Sequence, residues 1–255
     1  MRFLCLHGMG TNSAVFEAQL APIIANLDPS HEFVYIDGLI ECEASEGVGG
    51  VFPGPFYCYY SQPTLSQLQA AFDLIHDIID EEGPFDGIIG FSQGAALAAS
   101  FLLHQQETDP NAPEVFRMAI FTCASLPFDP TSDTDTQSYD ICPKTGTVRL
   151  QPRFSNGFVE SFKVSGYIDR PSPEIKLLHR YNADITKTRI HIPTLHIMGE
   201  EDPYLPQSKA LVGLCAGEKN IVSHHLGHRL PRDILFSRKA AMTVENTISR
   251  ALFQS

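Results

Sequence analysis

Gly90-Phe91-Ser92-Gln93-Gly94 follows the apolar run Phe85-Asp86-Gly87-Ile88-Ile89 and opens a second run from Ala95 to Leu103. A G-x-S-x-G sequence between a strand and a helix forms a nucleophile elbow, a sharp, strained turn that holds a serine hydroxyl exposed. The two glycines lack side chains where such a turn crowds its neighbours. The chemistry open to Ser92 is acyl transfer, which needs partners: a hydroxyl is a poor nucleophile near neutral pH, so a base must take its proton and an acid must orient that base.

The candidate base is His228, in the loop His224-His225-Leu226-Gly227-His228-Arg229-Leu230-Pro231 before the last helix-like segment. The acid must come from Glu200-Glu201-Asp202, just beyond a strand-like run. Asp202 is preferred: it is furthest from the strand, and Pro203 favours an extended or turn conformation at the residue before it. The chain order is then serine, acid, histidine. A tetrahedral oxyanion needs backbone N–H donors. One is Gln93, at a helix start whose dipole favours negative charge. The other lies in the loop His7-Gly8-Met9-Gly10, with Met9 the candidate donor and His7 a residue that ties the loop down. His224 and His228 are four apart, a spacing that unites two metal ligands only on a helix. Gly227 and the loop context argue against one, and no metal or organic cofactor is expected.

These residues need a scaffold that brings strand ends together. Arg2–Leu6, Glu32–Ile36, Phe85–Ile89, Arg117–Ala124, His191–Met198 and Asn220–Ser223 read as strands. Val15–Ala25, Thr64–Glu81, Ala95–Leu103 and Pro231–Phe253 read as helices. The alternation predicts an α/β fold with a mostly parallel central sheet and helices on both faces, where ligands bind beyond the carboxyl ends of the strands. Residues 126–190 hold many prolines and little periodicity and are expected to form a lid-like insertion in one domain spanning 1–255. Leu39–Pro63 also lacks periodicity. Its aromatics, Phe56, Tyr59 and Tyr60 among them, must pack over the domain or line a cavity.

Composition narrows the class. The chain has 255 residues and a net charge of −12, with 18 basic against 30 acidic residues, which disfavours nucleic acid and anionic membrane surfaces. No stretch approaches the roughly 20 apolar residues of a membrane span. The first residues run straight into an apolar strand and read as mature, cytoplasmic protein. The six cysteines, at 5, 42, 58, 123, 142 and 215, show no paired spacing and are expected to be reduced thiols.

Phe3-Leu4-Cys5-Leu6-His7-Gly8, Gly-Phe-Ser-Gln-Gly at the elbow, Gly199-Glu-Glu-Asp202 and Gly227-His228-Arg-Leu-Pro231 together resemble the FSH serine hydrolases of the α/β-hydrolase superfamily. The four motifs occur in the family's order over nearly the whole chain. The resemblance implies an α/β-hydrolase fold, a triad on Ser92, Asp202 and His228, and oxyanion amides on Met9 and Gln93. Within the family the chain most resembles fungal trans-acting thioesterases and hydrolases of polyketide pathways. That implies cleavage of an acyl thioester carried by an acyl carrier protein, with the acyl chain under the insertion near Phe154 and Phe158. Arg149 with Arg153, or Arg229 with Arg232, are candidate docking sites for the carrier. Two alternatives stay open: a carboxylesterase acting on small oxygen esters, and a ligand-binding protein that keeps the scaffold without turnover.

Overall fold

The computed structural model describes residues 1–131, 139–141, 147–150, 160–163 and 177–253. Its centre is a sheet of six strands: β1 (Arg2–Leu6), β2 (Glu32–Ile36), β3 (Gly87–Phe91), β4 (Met118–Thr122), β5 (Thr194–Gly199) and β6 (Lys219–His224). The spatial order is β6-β5-β4-β3-β1-β2, and every adjacent pair is parallel. All strands therefore end on the same edge, and the loops after β1, β3, β5 and β6 share it.

Successive side chains of a strand point to opposite faces, so one short apolar strand feeds two cores. In β1, Leu4 and Leu6 pack with Leu68, Phe72 and Ile75 of α2 (Leu65–Glu82) and Leu97 and Phe101 of α3 (Gln93–Thr108). Phe3 and Cys5 pack on the other face, with Phe16 and Leu20 of α1 (Ser13–Ile24) and Ala240 and Val244 of α5 (Ile234–Phe253). Burial on both faces is why the four inner strands, β1, β3, β4 and β5, read as continuous apolar runs rather than alternating ones.

The expected sheet with helices on both faces is present, with local differences. β3 runs two residues further than the sequence reading placed it, because Gly90 pairs with Leu6 of β1 and Phe91 with Thr122 of β4. A helix not anticipated, α4 (Leu205–Gly213), follows β5 with a proline in its first turn, and Leu211 alone of its leucines and valines is buried. The segment read as irregular, 39–63, holds the antiparallel pair Ile40–Cys42 and Phe56–Cys58. Within 126–190, Phe128–Asp129 pairs antiparallel with His179–Arg180, while Tyr139–Ile141, Thr147–Leu150 and Glu160–Lys163 form a three-stranded antiparallel sheet. No helix among the described residues is long and apolar enough to cross a membrane.

Candidate active site

Ser92 sits between β3 and α3 with φ 53° and ψ −111°. A side chain in this region costs on the order of 1–3 kcal/mol, and the surroundings must hold it there. The Ser92 N–H donates to the Thr122 carbonyl at 3.0 Å, and the Ala96 N–H donates to the Ser92 carbonyl at 3.1 Å. Both elbow glycines are sterically required. A Cβ on Gly90 would lie 2.4 Å from the Ala95 backbone, and one on Gly94 would lie 2.2 Å from the Leu6 carbonyl oxygen. The close approach continues along α3, where Ala95, Ala96, Ala98 and Ala99 are all fully buried.

The loops after β5 and β6 bring Asp202 and His228 to this serine. They touch at Gly199, where a Cβ would lie 2.5 Å from the carbonyl oxygens of Leu226 and Gly227. The Glu200 N–H donates to the His224 carbonyl at 2.7 Å, fixing one loop on the other. His228 Nδ1 lies 2.8 Å from Asp202 Oδ2, and Nε2 lies 2.8 Å from Ser92 Oγ. An ionised carboxylate only accepts hydrogen bonds, so the proton is on Nδ1, which donates to Asp202, and Nε2 accepts from the serine hydroxyl. The second Asp202 oxygen accepts from the Tyr204 N–H at 2.8 Å. The Asp202 side chain is 1% exposed and that of His228 is 28% exposed. Glu200 and Glu201 are both exposed to solvent, which separates them from Asp202.

The rings of Phe91 and Tyr204 lie 5.1 and 4.9 Å from the imidazole of His228. Neither was singled out in the sequence, although Phe91 occupies the variable position of the elbow and Tyr204 stands two residues after the acid. Behind the acid, the Cys123, Asp202 and His228 ligand atoms lie within 4.8 Å of one another. Burial first, then the Asp202 charge, pushes the Cys123 thiol well above its ordinary value, so it meets the pair as a weak S–H donor rather than a thiolate. His224 ends β6 with its ring edge-on to Phe236, and burial lowers its pKa.

The loop after β1 is held from below. His7 is fully buried, with Nδ1 at 2.7 Å from the Gly8 carbonyl and Nε2 accepting from the Gly38 N–H at 2.9 Å. Burial pushes the imidazole below its ordinary value, which keeps it neutral. Gly10 has φ +70°, and its N–H donates to the Tyr57 carbonyl at 3.0 Å. Met9 is exposed at the tip. Among the described residues, no group accepts a hydrogen bond from the Met9 N–H or the Gln93 N–H. The Gln93 side chain has separate work: Oε1 accepts from the Tyr59 N–H at 2.9 Å and Nε2 donates to the Tyr60 carbonyl at 2.7 Å.

The aromatic candidates divide. Tyr59 is fully buried, its hydroxyl accepting from the His7 N–H at 3.0 Å and donating to the Ile36 carbonyl at 3.1 Å. That corrects its reading as a substrate contact, since both face and hydroxyl are used inside the protein. Tyr60 is buried with its ring edge-on to Phe128, and Phe56 is half-buried in the 56–58 strand. Phe154 and Phe158 lie outside the described residues, as does Arg153. A cavity of about 290 Å³ between α2 and α3, lined by Phe72, His76, Phe101 and His104, includes none of the Ser92, His228 and Asp202 group.

Comparison with known proteins identifies the family and the fold. The profile of the serine hydrolase (FSH1) family matches residues 1–240. The chain is 33% identical to the esterase alnB of Emericella nidulans, over 98% of this chain and 97% of that protein. It is also 33% identical to the esterase FPY3 of Fusarium mangiferae, over 99% of each. Among solved structures, a carboxylesterase from Mesorhizobium loti superposes with a TM-score of 0.56 at 17% identity, covering 96% of this chain and 88% of that one. The fold is that of the α/β-hydrolases.

Proposed function

The chain belongs to the serine hydrolase (FSH1) family, and from that premise we propose that Ser92, His228 and Asp202 are its catalytic triad and that it cleaves an acyl thioester, releasing a polyketide acyl chain from a carrier protein. The observation that carries the triad is the unbroken hydrogen-bond chain from Asp202 through His228 to Ser92, each link 2.8 Å long. Ser92 Oγ attacks the acyl carbonyl as His228 Nε2 takes its proton. The developing negative charge falls to the N–H groups of Met9 and Gln93, at the positive end of α3. Collapse breaks the carbon–sulfur bond, and His228 returns the proton to the leaving thiolate. Water, deprotonated by the same nitrogen, then hydrolyses the acyl-serine. Asp202 holds the tautomer throughout and offsets the imidazolium charge.

The thioester reading rests on the sequence resemblance, and the insertion 126–190 is assigned as the lid over the acyl chain. Arg229 and Arg232 are exposed beside His228 and form the basic patch assigned to an acidic carrier surface on an otherwise acidic enzyme. Relatives named as esterases favour the second reading, a carboxylesterase of oxygen esters. Turnover of an acyl thioester beside the matching oxygen ester separates the two. A kcat/KM at least tenfold higher for the thioester is expected, and equal or better cleavage of the oxygen ester overturns the thioesterase assignment. A fluorophosphonate probe is expected to label the native protein and not Ser92→Ala. Undiminished hydrolysis by Ser92→Ala overturns the triad.

A further inference from the structure

Two cysteines outside the triad meet beside the oxyanion loop. In the antiparallel pair Ile40–Cys42 and Phe56–Cys58, Cys42 lies opposite Phe56 and Cys58 opposite Ile40. Residues two apart on a strand share a face, so both thiols project to one side, on a diagonal. Each thiol feels the other, and their interaction lowers the Cys42 pKa and raises that of Cys58. Their access differs: Cys42 is partly exposed and Cys58 is fully buried.

This hairpin is stitched to the loop that presents Met9. The Gly10 N–H donates to the Tyr57 carbonyl at 3.0 Å. The Tyr57 N–H donates to the Thr11 carbonyl at 2.7 Å, and the Ser45 N–H donates to the Gly10 carbonyl at 2.8 Å. Gly10 has no slack, since even a Cβ there would lie 2.6 Å from the Ser45 nitrogen.

We propose that Cys42 and Cys58 form a peroxide-sensitive dithiol whose oxidation to a disulfide displaces the Met9 loop and reversibly lowers hydrolase activity. The Cys42 thiolate attacks hydrogen peroxide, the O–O bond breaks, and Cys42 becomes a sulfenic acid with release of hydroxide. The Cys58 sulfur then displaces the sulfenic oxygen. Counted together, two thiols and one peroxide give one disulfide and two waters. The neighbouring Cys58 thiol lowers the Cys42 pKa to about 7, which favours the thiolate at neutral pH. Burial pushes the Cys5, Cys123 and Cys215 thiols in the opposite direction. Diagonal strand neighbours stand about 7–8 Å apart at Cα, beyond the roughly 4.4–6.8 Å a disulfide spans. Closing the bond therefore draws the strands together, and the loop bonded to them must follow.

The effect on turnover rests on the oxyanion role proposed for Met9; the cross-link itself does not. The test treats the native protein with hydrogen peroxide, blocks residual thiols with N-ethylmaleimide, maps peptides by mass and measures hydrolysis in parallel. A Cys42–Cys58 bridge is expected with a fall in kcat of about tenfold or more, since losing one oxyanion donor costs roughly 100- to 1000-fold, and dithiothreitol restores both. Cys58→Ser is expected to retain native activity before oxidation and, after it, to trap Cys42 as a dimedone-reactive sulfenic acid without a bridge. Both thiols remaining alkylatable in the treated native protein overturns the dithiol, and a bridge formed with unchanged kcat overturns its link to the loop. Absent hydrolysis in the reduced native protein counts against the triad instead, while the mass map still decides the dithiol.

Discussion

The loops after the first and last strands of the sheet each set a histidine beside a glycine, and they use it in opposite ways. His7 spends its ring on its own surroundings: Nδ1 meets the Gly8 carbonyl, and Nε2 receives the Gly38 N–H. Among the described residues, His228 bonds no backbone group through its ring nitrogens and instead joins a carboxylate to a hydroxyl. The contrast teaches what a base requires beyond residue type. One nitrogen must be fixed by a charge that holds the tautomer, and the other must face a group whose proton it can take. His7 has neither, and burial keeps it neutral.

The contrast can be broken most sharply at the proposed triad. Ser92→Ala or His228→Ala is expected to lower kcat by on the order of 10⁴- to 10⁶-fold, with the double variant little worse than either single one. Thermal melting should move by only a few degrees, because neither side chain is core. Asp202→Asn keeps the shape and removes the charge, and steady-state kinetics should show a loss of about 10⁴-fold. His7→Ala inverts the pattern. It orphans buried donors and acceptors at about 1–3 kcal/mol each, which corresponds to a fall in melting temperature of about 10 °C for a chain of this size. Its kcat, measured well below the melting point, should fall by less than about 100-fold. A His7→Ala protein that melts normally yet has no turnover would exchange the two roles.

The smallest expected effect is in acid. A histidine whose folded pKa lies below its unfolded value binds fewer protons folded than unfolded, so stability is complete above the unfolded value of 6.5 and is lost as pH falls below it. His7 and His196 both titrate in this direction, His196 lowered to about 3 by burial. Denaturant unfolding at successive pH values should show this slope below pH 6.5, and His7→Gln should reduce it by about one proton, on the order of 1.4 kcal/mol per pH unit at most. An unchanged slope would mean that His7 is protonated in the fold.

Much of this was legible in the chain because the informative residues obey local rules. The four inner strands announce themselves as short apolar runs, and Ser92 is flagged by glycines whose absent side chains the packing needs. The helix Leu205–Gly213 gave no such sign, since it starts with a proline and buries a single leucine with the polar Gln207 and Ser208. Tyr59 misled for a related reason. An aromatic in an irregular glycine- and proline-rich stretch resembles a pocket wall, and nothing local reveals that its hydroxyl will join β1 to β2 by bonding His7 and Ile36. The Gln93 clamp and the Cys42–Cys58 contact share that character, because their partners are set by tertiary approach and not by spacing.

The residues of the proposed triad lie far apart in the chain. Ser92 and His228 are 136 positions apart, and the strands that deliver them, β3 and β6, become neighbours only through β4 and β5. Parallel pairing closes long loops before it is rewarded, and folds built from it acquire their last contacts slowly. Hydrolysis by this chain is therefore a gauge of completed folding. In a refolding experiment the helical signal should return first, and turnover only when the final strand has joined the sheet.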